Sequence, residues 1–401
     1  MGDLVARYRE VFGPIGAVRI VRGPGRVNLI GEHTDYNGGL VMPMALEASV
    51  RLALYAHQEP VVRLWSEQFA ERAEFALGGE ARLEPPDEPP HWLKYPMKVA
   101  EVLAEEGLTL YGLSAVVEGD VPVGSGLSSS AAYEVASALA FLVAARPELP
   151  AGPAAAAAAA HGLTTARLAE LCQAAEHRVG VRCGIMDQFI SLHGRRGCAI
   201  VLDCRDLSYE AAPLPVDRAR VVVIDSGVRR KLTAGAYNER RSQCEDGVGR
   251  LRKFDPDVRQ LRDVSPALFA AHQHALPQAV RRRCRHVISE IQRVRDSAEA
   301  LRAGDLERFG RLLSDSHASL RDDYEVSGQE LDLLVEIARR VPGVLGSRLT
   351  GAGFGGCTVT LARPEAVEPL RQAVLDKYPK ETGLQPRIWI CDAADGAAVE
   401  V

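Results

Sequence analysis

Apolar residues recur every three or four positions along several segments, which is the pattern of helices that bury one face. In the clearest of these segments five apolar residues share a face: Val287, Ile288, Ile291, Val294 and Leu301. Gly304 is placed to end this helix, and Asp305 is placed to cap the next one. The same pattern predicts helices over residues 3–12, 91–106, 164–178 and 328–341, and an alanine-rich helix that ends near residue 145.

Other stretches alternate apolar and polar residues, which predicts strands. The predicted strands cover residues 17–22, 40–65 with a break at Pro43, 111–121, 197–203, 219–225, 356–362 and 386–391. Residues 78–90 are rich in Gly, Pro and acidic residues and predict a loop. Strands and helices follow one another in blocks rather than in strict alternation, so the pattern predicts an α+β fold.

Size and composition narrow the class of protein. The chain has 401 residues, 47% of them hydrophobic and 25% charged, which is ordinary for a globular protein of two or three domains. A net charge of −5 gives no reason to expect a nucleic-acid partner. No apolar run approaches the ~20 residues of a membrane span. Eight cysteines without a Cys-x-x-Cys pair argue against a zinc site and favour the reduced thiols of a cytoplasmic enzyme.

The first candidate site is a polar run between glycines, Gly23-Pro-Gly-Arg-Val-Asn-Leu-Ile-Gly-Glu-His-Thr-Asp-Tyr-Asn-Gly-Gly39. It places Arg26, Glu32, His33 and Asp35 close together in the chain. Two carboxylates, a guanidinium and an imidazole are too costly to bury without partners. The run therefore predicts the polar floor of a pocket for a ligand rich in hydroxyl groups. A packed core histidine and a plain Asp-Tyr-Asn-Gly turn are the structural alternatives.

The second candidate site is the loop Pro122-Val-Gly-Ser-Gly-Leu-Ser-Ser-Ser-Ala131, between a predicted strand and a predicted helix. Glycines let the backbone approach an anion, and the start of the following helix offers free amides at the positive end of its dipole. Serines here can cap the helix, bond phosphate oxygens or bind magnesium. The loop lacks the Gly-Lys-Ser/Thr of a Walker A loop. An ordinary capped helix remains the alternative from these residues alone.

Both segments resemble known motifs. The run over residues 23–39 resembles the signature of galactokinases, which belong to the GHMP family of small-molecule kinases. The serine loop fits the second GHMP motif, Pro-x-x-x-Gly-Leu-x-Ser-Ser-Ala, and Ser347-Arg-Leu-Thr-Gly-Ala-Gly-Phe-Gly-Gly-Cys357 resembles the third. The resemblance covers nearly the whole chain. It implies a two-lobed architecture of mixed β-sheets and helical layers, with the active site in the cleft between the lobes.

The resemblance also implies roles for individual residues. The ATP phosphates would be wrapped by Gly124, Ser125, Gly126, Leu127, Ser128, Ser129 and Ser130, and Mg²⁺ would be held by Ser130 and Glu176. Asp187, in Cys183-Gly-Ile-Met-Asp-Gln-Phe-Ile190, would be the catalytic carboxylate beside the C1 hydroxyl of the sugar, with Arg26 supplying positive charge. The sugar would be bound by Glu32, His33, Asp35, Gly184 and Tyr237. From the residues alone, Asp187 can also be explained as a buried aspartate that caps a helix.

One segment departs from the family pattern. The chain is one residue short between Arg178 and Val179, where the family usually has an aromatic residue. A loss within the helix that carries Glu176 would turn everything beyond it by about 100°, whereas a loss in the following loop would change little. Gly180 follows closely, which favours the loop. Short motifs do not identify the adenine pocket. Trp65 and Ser66 are possible residues of its wall.

We expect three units: an N-terminal domain over residues 1–205 with the sugar signature and the phosphate loop, a C-terminal kinase domain over 206–385, and a tail over 386–401 that returns to the first domain. The implied reaction is phosphorylation of D-galactose by ATP at the C1 hydroxyl, in a cytoplasmic monomer, with a dimer left open. A kinase for N-acetylgalactosamine or arabinose and a regulator that binds galactose and ATP without turnover are the alternatives. The intact Ser130-Ala131-Ala132 favours catalysis over the regulator.

Overall fold

The computed structural model of the chain describes residues 3–14, 16–77, 83–84, 88–229 and 233–401. The predicted loop over residues 78–90 lies mostly outside these ranges. In the described part no helix combines the length and the apolar character that crossing a bilayer requires.

An eight-stranded sheet forms the centre of the first half of the chain. In spatial order its strands are β6 (Leu83–Glu84), β5 (Glu71–Leu77), β4 (Val61–Ser66), β7 (Gly112–Gly119), β3 (Pro43–His57), β1 (Arg19–Asn28), β15 (Ala398–Val399) and β8 (Gly152–Pro153). Strands β4 and β7 are parallel, and the other neighbours are antiparallel. Because successive side chains of a strand point to opposite faces, this sheet has an apolar surface on each side.

Helices cover both of these surfaces. One face carries α2 (His91–Glu105), α3 (Ser129–Ala145), α5 (Thr165–Val179) and α6 (Met186–His193), with α4 (Ala154–Ala160) beside them. Helix α3 packs on β1 and β3 and is buried along nearly its whole length, as expected for a helix that is apolar on all sides. The other face is covered by α1 (Leu4–Phe12), whose Leu4 and Tyr8 pack with Ile20, Ala53 and Val116.

A four-stranded antiparallel sheet organises the second half. Its order is β12 (Val344–Thr350), β13 (Cys357–Ala362), β11 (Arg220–Asp225) and β14 (Arg387–Cys391). The helices of this half are α7 (Thr233–Leu251), α8 (Pro266–His272), α9 (Gln278–Arg302), α10 (Leu306–Ser319), α11 (Gln329–Arg339) and α12 (Val367–Thr382). A third, small sheet joins β10 (Tyr209–Pro213), β9 (Cys198–Asp203) and β2 (Leu40–Val41).

The α+β fold predicted from the pattern is confirmed, and the long helices lie within two or three residues of their predicted bounds. Strand β12 was not predicted, because Ser347, Arg348 and Thr350 make it polar although all three are buried. The short strands β8, β10 and β15 carry too few residues for alternation to be visible.

The predicted division of the chain needs correction at two places. Residue 205 lies inside the hairpin that pairs β9 with β10, so a boundary there would cut a hydrogen-bonded unit. The predicted tail over 386–401 is divided between the two large sheets. Strand β14 pairs with β11 in the second sheet, whereas β15 pairs with β1 in the first. Residues 387–391 therefore belong with the second half, because their backbone hydrogen bonds are made there.

Candidate active site

One cavity of about 470 Å³ brings most of the predicted site residues together. The predicted residues that line it are Arg26, Glu32, His33, Asp35, Gly124, Gly126, Ser128, Ser129, Ser130, Glu176, Asp187 and Tyr237. They come from β1 and the turn after it, the loop before α3, the facing ends of α5 and α6, and α7. Gly351 and Ala352 of the third glycine motif close the cavity from the second half of the chain.

Asp187, in the first turn of α6, is held by hydrogen-bond donors on two sides. Arg26 makes a bidentate pair with it: Nε donates to Oδ1 at 2.8 Å and Nη2 donates to Oδ2 at 2.7 Å. Ser128 Oγ also donates to Oδ2. The Asp187 side chain keeps 20% of its surface exposed, so a ligand atom in the cavity can still reach it.

Arg26 is a buried cation that depends on this site for its charge balance. Burial alone would lower the pKa of the Arg26 guanidinium, but the charges of Asp187 and Glu32 raise that pKa overall. Its Nη1 also donates to the backbone oxygen of Gly126, in the loop before α3. The guanidinium therefore joins the carboxylate to the glycine loop.

The loop before α3 has the backbone of an anion-binding cradle. Gly124 and Gly126 have φ values of 71° and 86°, and Ser128 has a φ of 64° that is unusual for a residue with a side chain. No side-chain hydrogen bond caps the first turn of α3. The amides at the start of this 17-residue helix are therefore available to a ligand, at the positive end of the helix dipole.

Two loop residues predicted to contact phosphate turn their side chains away from the cavity. Ser125 is buried and its Oγ donates to Pro122 O at 2.7 Å, and Leu127 is buried in the apolar core. The tight turn explains both inward directions, because successive side chains of the loop point alternately towards the cavity and towards the protein interior. Any contact of Ser125 and Leu127 with a ligand would be made by their backbone.

Glu176, in the last turn of α5, is fixed through both oxygens. Its Oε1 accepts from Ser130 Oγ at 2.9 Å, and its Oε2 accepts from Gln188 Nε2 at 2.6 Å and Cys183 Sγ at 3.2 Å. Gln188 Nε2 also donates to Glu134 Oε2 at 2.9 Å. Helix α5 continues to Val179 and ends on Gly180 in a left-handed cap, so the short position between Arg178 and Val179 lies in the last turn of the helix and not in the following loop as expected. Glu176 precedes this position and stays beside the cradle.

The acidic cluster around Gln188 consists of Glu134 and Glu176, which both accept from its side-chain amide. Burial, and then the charge of Asp187, raises the pKa of Glu176. Burial and the charge of Glu176 raise the pKa of Glu134 well above its usual range. The hydroxyl of Ser130 and the Glu176 carboxylate are hard oxygen donors of the type that Mg²⁺ prefers. Among the described residues no group of three or more His, Cys, Asp or Glu side chains forms a metal cluster, so substrate phosphates would complete such a site.

Glu32 is bound into the protein as well as lining the cavity. Its Oε1 accepts from Gly351 N at 2.5 Å and Thr350 Oγ1 at 3.1 Å and lies 3.2 Å from Arg348 Nη2. Its Oε2 accepts from Asn28 Nδ2. Arg348 is fully buried, so Glu32 balances a charge that would be costly without a partner. Glu32 therefore ties the polar floor to the third glycine motif.

Asp35 lies in a 3₁₀ turn over Asp35–Asn37, beside Gly184. Burial, and then the negative charge of Asp187, raises the pKa of Asp35 to about 7. Gly184 does not line the cavity. A Cβ at this position would overlap the Asp35 carboxylate, so the glycine is required for Asp35 to occupy its place.

A second, mainly apolar cavity of about 460 Å³ adjoins the first and shares His91, Tyr95, Ser129 and Ser130 with it. Ser66 lies in its wall, whereas Trp65 does not. Successive residues of a strand face opposite sides of the sheet. Trp65 therefore packs in the cluster under α1, where its Nε1 donates to Glu67 Oε1 at 2.6 Å.

Several residues of the site were not singled out from the sequence: Tyr36, Glu134, Gln188, Tyr324 and Arg348. Gln188 and Arg348 stand inside segments already recognised as motifs, and for Gln188 the available signal was a polar residue in a mostly apolar run. Tyr36, Glu134 and Tyr324 carry no such signal, since their roles depend on contacts with distant segments.

Comparison with known proteins agrees with this geometry. The galactokinase galactose-binding signature matches residues 6–55, the GHMP kinase N-terminal domain matches 94–195, and the GHMP kinase C-terminal domain matches 297–380. The chain is 45% identical to a galactokinase of Roseiflexus sp. (strain RS-1), over 98% of this chain and 96% of the relative. It is 43% identical to the galactokinase of Homo sapiens, over 98% and 94% of the two chains.

A solved structure is similar over its whole length. The crystal structure of Lactococcus lactis galactokinase complexed with galactose superimposes with a TM-score of 0.90 at 33% identity, covering 99% of each chain. Motifs, near-complete coverage and fold point the same way, and the chain belongs to the galactokinase family of the GHMP kinases.

Proposed function

We propose that this protein transfers the γ-phosphoryl group of ATP to the C1 hydroxyl of D-galactose, giving galactose 1-phosphate and ADP. The observation that carries the proposal is the position of Asp187. It is fixed by Arg26 and Ser128 in one cavity with the glycine cradle on one side and the polar floor on the other. A phosphate donor and a hydroxyl-rich acceptor would therefore meet at this carboxylate.

In the proposed mechanism Asp187 orients the C1 hydroxyl and receives its proton as the phosphoryl group arrives. A free aspartate has a pKa of about 3.9 and is a weak base. This is sufficient because phosphoryl transfer passes through a loose transition state in most analyses, where positioning and charge neutralisation dominate. Arg26 contributes a fixed positive charge beside the reacting groups. The amides of the cradle hold the phosphates of ATP.

Ser130 and Glu176 are the residues proposed to hold Mg²⁺. Their oxygens are 2.9 Å apart and both line the cavity. The ion would neutralise charge on the phosphates. The adjoining apolar cavity, with Ser66 in its wall, is proposed to hold the adenine ring, because it opens onto the serines of the cradle.

Sugar recognition is proposed to use Glu32, His33, Asp35 and Tyr237, with Gly184 keeping Asp35 in place. Carboxylates accept hydrogen bonds from neighbouring hydroxyls, and a site built to pair a hydroxyl rejects sugars that lack it or present it elsewhere. These side chains would determine whether an axial or an equatorial hydroxyl is accepted at C4 of the sugar, and which substituents are tolerated at C2.

Release of ADP with a panel of sugars tests the proposal. Galactose should give the highest kcat/KM, and N-acetylgalactosamine and arabinose should be poor substrates. Preferential turnover of another sugar would replace galactose as the substrate, and binding of galactose and ATP without ADP release would identify a regulator instead of an enzyme.

We further propose a cytoplasmic monomer. All eight cysteines lie in the described part of the chain as free thiols, which suits a reducing compartment. Examples of the large apolar side chains exposed there lie in separate segments: Phe69 follows β4, Phe254 follows α7 and Ile390 is in β14. Light scattering coupled to size-exclusion chromatography would distinguish a monomer of 43.4 kDa from a dimer.

A further inference from the structure

A chain of hydrogen bonds leads from His33 away from the cavity. Nδ1 of His33 lies 2.8 Å from Tyr36 OH, which lies 2.7 Å from Tyr324 OH. Tyr324 OH lies 3.2 Å from Cys244 Sγ. The four residues come from the turn after β1, from α7 and from a π-helical turn over Leu320–Tyr324, so tertiary structure alone brings them together.

Simple counting restricts how the protons of this chain are arranged. Each tyrosine hydroxyl has one proton to donate, so the bonds run in one common direction. In one direction Cys244 donates to Tyr324, Tyr324 donates to Tyr36, and Tyr36 donates to Nδ1 of His33. In the other direction His33 donates and the chain ends on the sulfur. The bond at His33 favours the first direction, because a phenol hydroxyl that donates to an imidazole nitrogen joins the better donor to the better acceptor. The thiol at the other end is weak in both roles and decides little.

We infer that Tyr36 and Tyr324 are positioning residues that hold His33 as the neutral tautomer with its proton on Nε2. When Nδ1 accepts a hydrogen bond, a neutral imidazole carries its proton on the other nitrogen. His33 lines the cavity, and here the inference rests on the proposed function: Nε2–H donates to a sugar oxygen, while the carboxylates around it accept from sugar hydroxyls. The tyrosines themselves act through His33.

The packing around His33 supports a fixed ring. Its centroid lies 4.6 Å from the ring of Tyr324, which in turn lies 4.6 Å from the ring of His286. Burial lowers the pKa of His286 to about 4, so this neighbour is neutral at physiological pH. It therefore places no positive charge beside Tyr324 that would favour the reverse direction. On the cavity side the ring of Tyr237 lies 5.5 Å from that of His33.

The test removes one oxygen atom at a time, in Tyr36→Phe and Tyr324→Phe. Correlation spectra of ¹⁵N-histidine-labelled protein without ligands report which ring nitrogen carries the proton, and His33→Gln assigns the His33 signal. Wild-type His33 should show the Nε2–H form, and Tyr36→Phe should shift it towards the other tautomer.

One lost hydrogen bond should raise the KM for galactose about three- to tenfold in Tyr36→Phe, with a smaller rise in Tyr324→Phe. The KM for ATP should stay unchanged in both.

Tyr378→Phe is the matched control. Tyr378 is also buried, and its hydroxyl donates to Ser226 O at 2.8 Å in the second half of the chain. This variant loses a comparable hydrogen bond but should change neither the His33 signal nor the KM for galactose.

Two results would overturn the inference: wild-type His33 with its proton on Nδ1 or on both nitrogens at neutral pH, or Tyr36→Phe with an unchanged His33 signal and an unchanged KM. The spectra need no sugar, so they judge the tautomer even if the panel of sugars rejects galactose as the substrate.

Discussion

At the scale of single residues, the role proposed for Asp187 depends on how its carboxylate is held. Arg26 and Ser128 together make three hydrogen bonds to the carboxylate. Ser128 can do so only because its backbone takes a left-handed conformation with φ of 64°, which costs a residue with a Cβ about 1–2 kcal/mol. Strain of this kind is common where a side chain must reach a reacting group.

Ser128→Gly should therefore separate stability from activity. Glycine relieves the backbone strain, so the melting temperature should equal or exceed that of the wild type. Loss of the hydrogen bond to Asp187 should lower kcat about ten- to hundredfold, since a bond to a charged group contributes roughly 1.5–3 kcal/mol. Ser128→Ala is the matched control, because it loses the same bond but keeps the strain, and it should melt below the wild type. A glycine variant with wild-type turnover would remove Ser128 from the catalytic arrangement.

Asp35 should make galactose binding depend on pH near neutrality. The pKa of its carboxyl is about 7, so the proton is largely bound below this pH and largely lost above it. Only the ionised form accepts hydrogen bonds with both oxygens. Galactose affinity, measured by calorimetry without ATP, should rise about five- to tenfold from about pH 6 to about pH 8. In Asp35→Asn the profile should be flat and the affinity low. An equal slope in this variant would assign the titration to another group.

At the scale of elements, α9 supports the polar floor from behind. Glu290 Oε1 accepts from Gly31 N at 3.0 Å and from Ser316 Oγ at 2.6 Å, and its Oε2 accepts from Arg293 Nε at 2.6 Å. Burial would raise the pKa of Glu290, but Arg293 and His286 lower it to about 2. This pKa lies below that of the unfolded chain. Glu290 therefore stabilises the fold fully above about pH 4.5, and this contribution is lost as the pH falls towards about 2.

Glu290→Ala should destabilise the protein by about 3–5 kcal/mol, because it removes a fully buried carboxylate and leaves the half-buried Arg293 and the donors Gly31 N and Ser316 Oγ without it. The KM for galactose should rise as well, since Gly31 loses its acceptor just before the polar floor. Denaturation in urea measures the first effect and steady-state kinetics the second. Glu299→Ala on the same helix should change stability by less than about 0.5 kcal/mol, because its carboxylate is exposed. Equal losses in both variants would contradict a specific role for Glu290.

At this scale the sequence predicted helices correctly where apolar residues at regular spacing form one buried face. The face over Val287–Leu301 and the cap at Asp305 needed only local spacing, and both are present. Strand β12 could not be predicted in the same way. Its buried Arg348 and Thr350 are explained by Glu32 and by the backbone oxygens of Asn28 and Leu29, all more than three hundred residues earlier in the chain.

At the scale of the whole molecule, the end of the chain links the two halves. After β14 in the second sheet, β15 lies between β1 and β8 in the first. Val399 is buried there, and Glu400 pairs with Arg51 at 2.6 Å. Strand β1 also carries Arg26, so the pairing of β15 supports the strand that holds the arginine proposed to act in catalysis.

Removal of residues 398–401 should cost at least about 1.5–3 kcal/mol, the contribution expected from burial of Val399 alone. Loosening of β1 should also lower kcat. The matched control is Val401→Ala, which changes an exposed side chain and should leave both quantities unchanged. Wild-type stability in the shortened protein would show that β1 does not depend on this pairing.

The site as a whole could be predicted only through the recognised motifs. Local reasoning identified a polar floor, a glycine cradle and an isolated aspartate, but nothing in the local pattern states that residues 26, 128 and 187 meet. That convergence is set by the packing of α3 and α6 on β1. The directions of individual side chains, such as those of Ser125 and Trp65, depended on the same packing and were not predicted.

The central claim is that Asp187 carries the transfer step while the cavity around it binds the two substrates. Measuring galactose binding by calorimetry and turnover by ADP release in Asp187→Ala tests this most directly. The account predicts a fall in kcat of about 10²–10⁴-fold, with galactose affinity within a few-fold of the wild type. Near-native turnover in this variant, or loss of galactose binding in parallel with turnover in a folded protein, would contradict it.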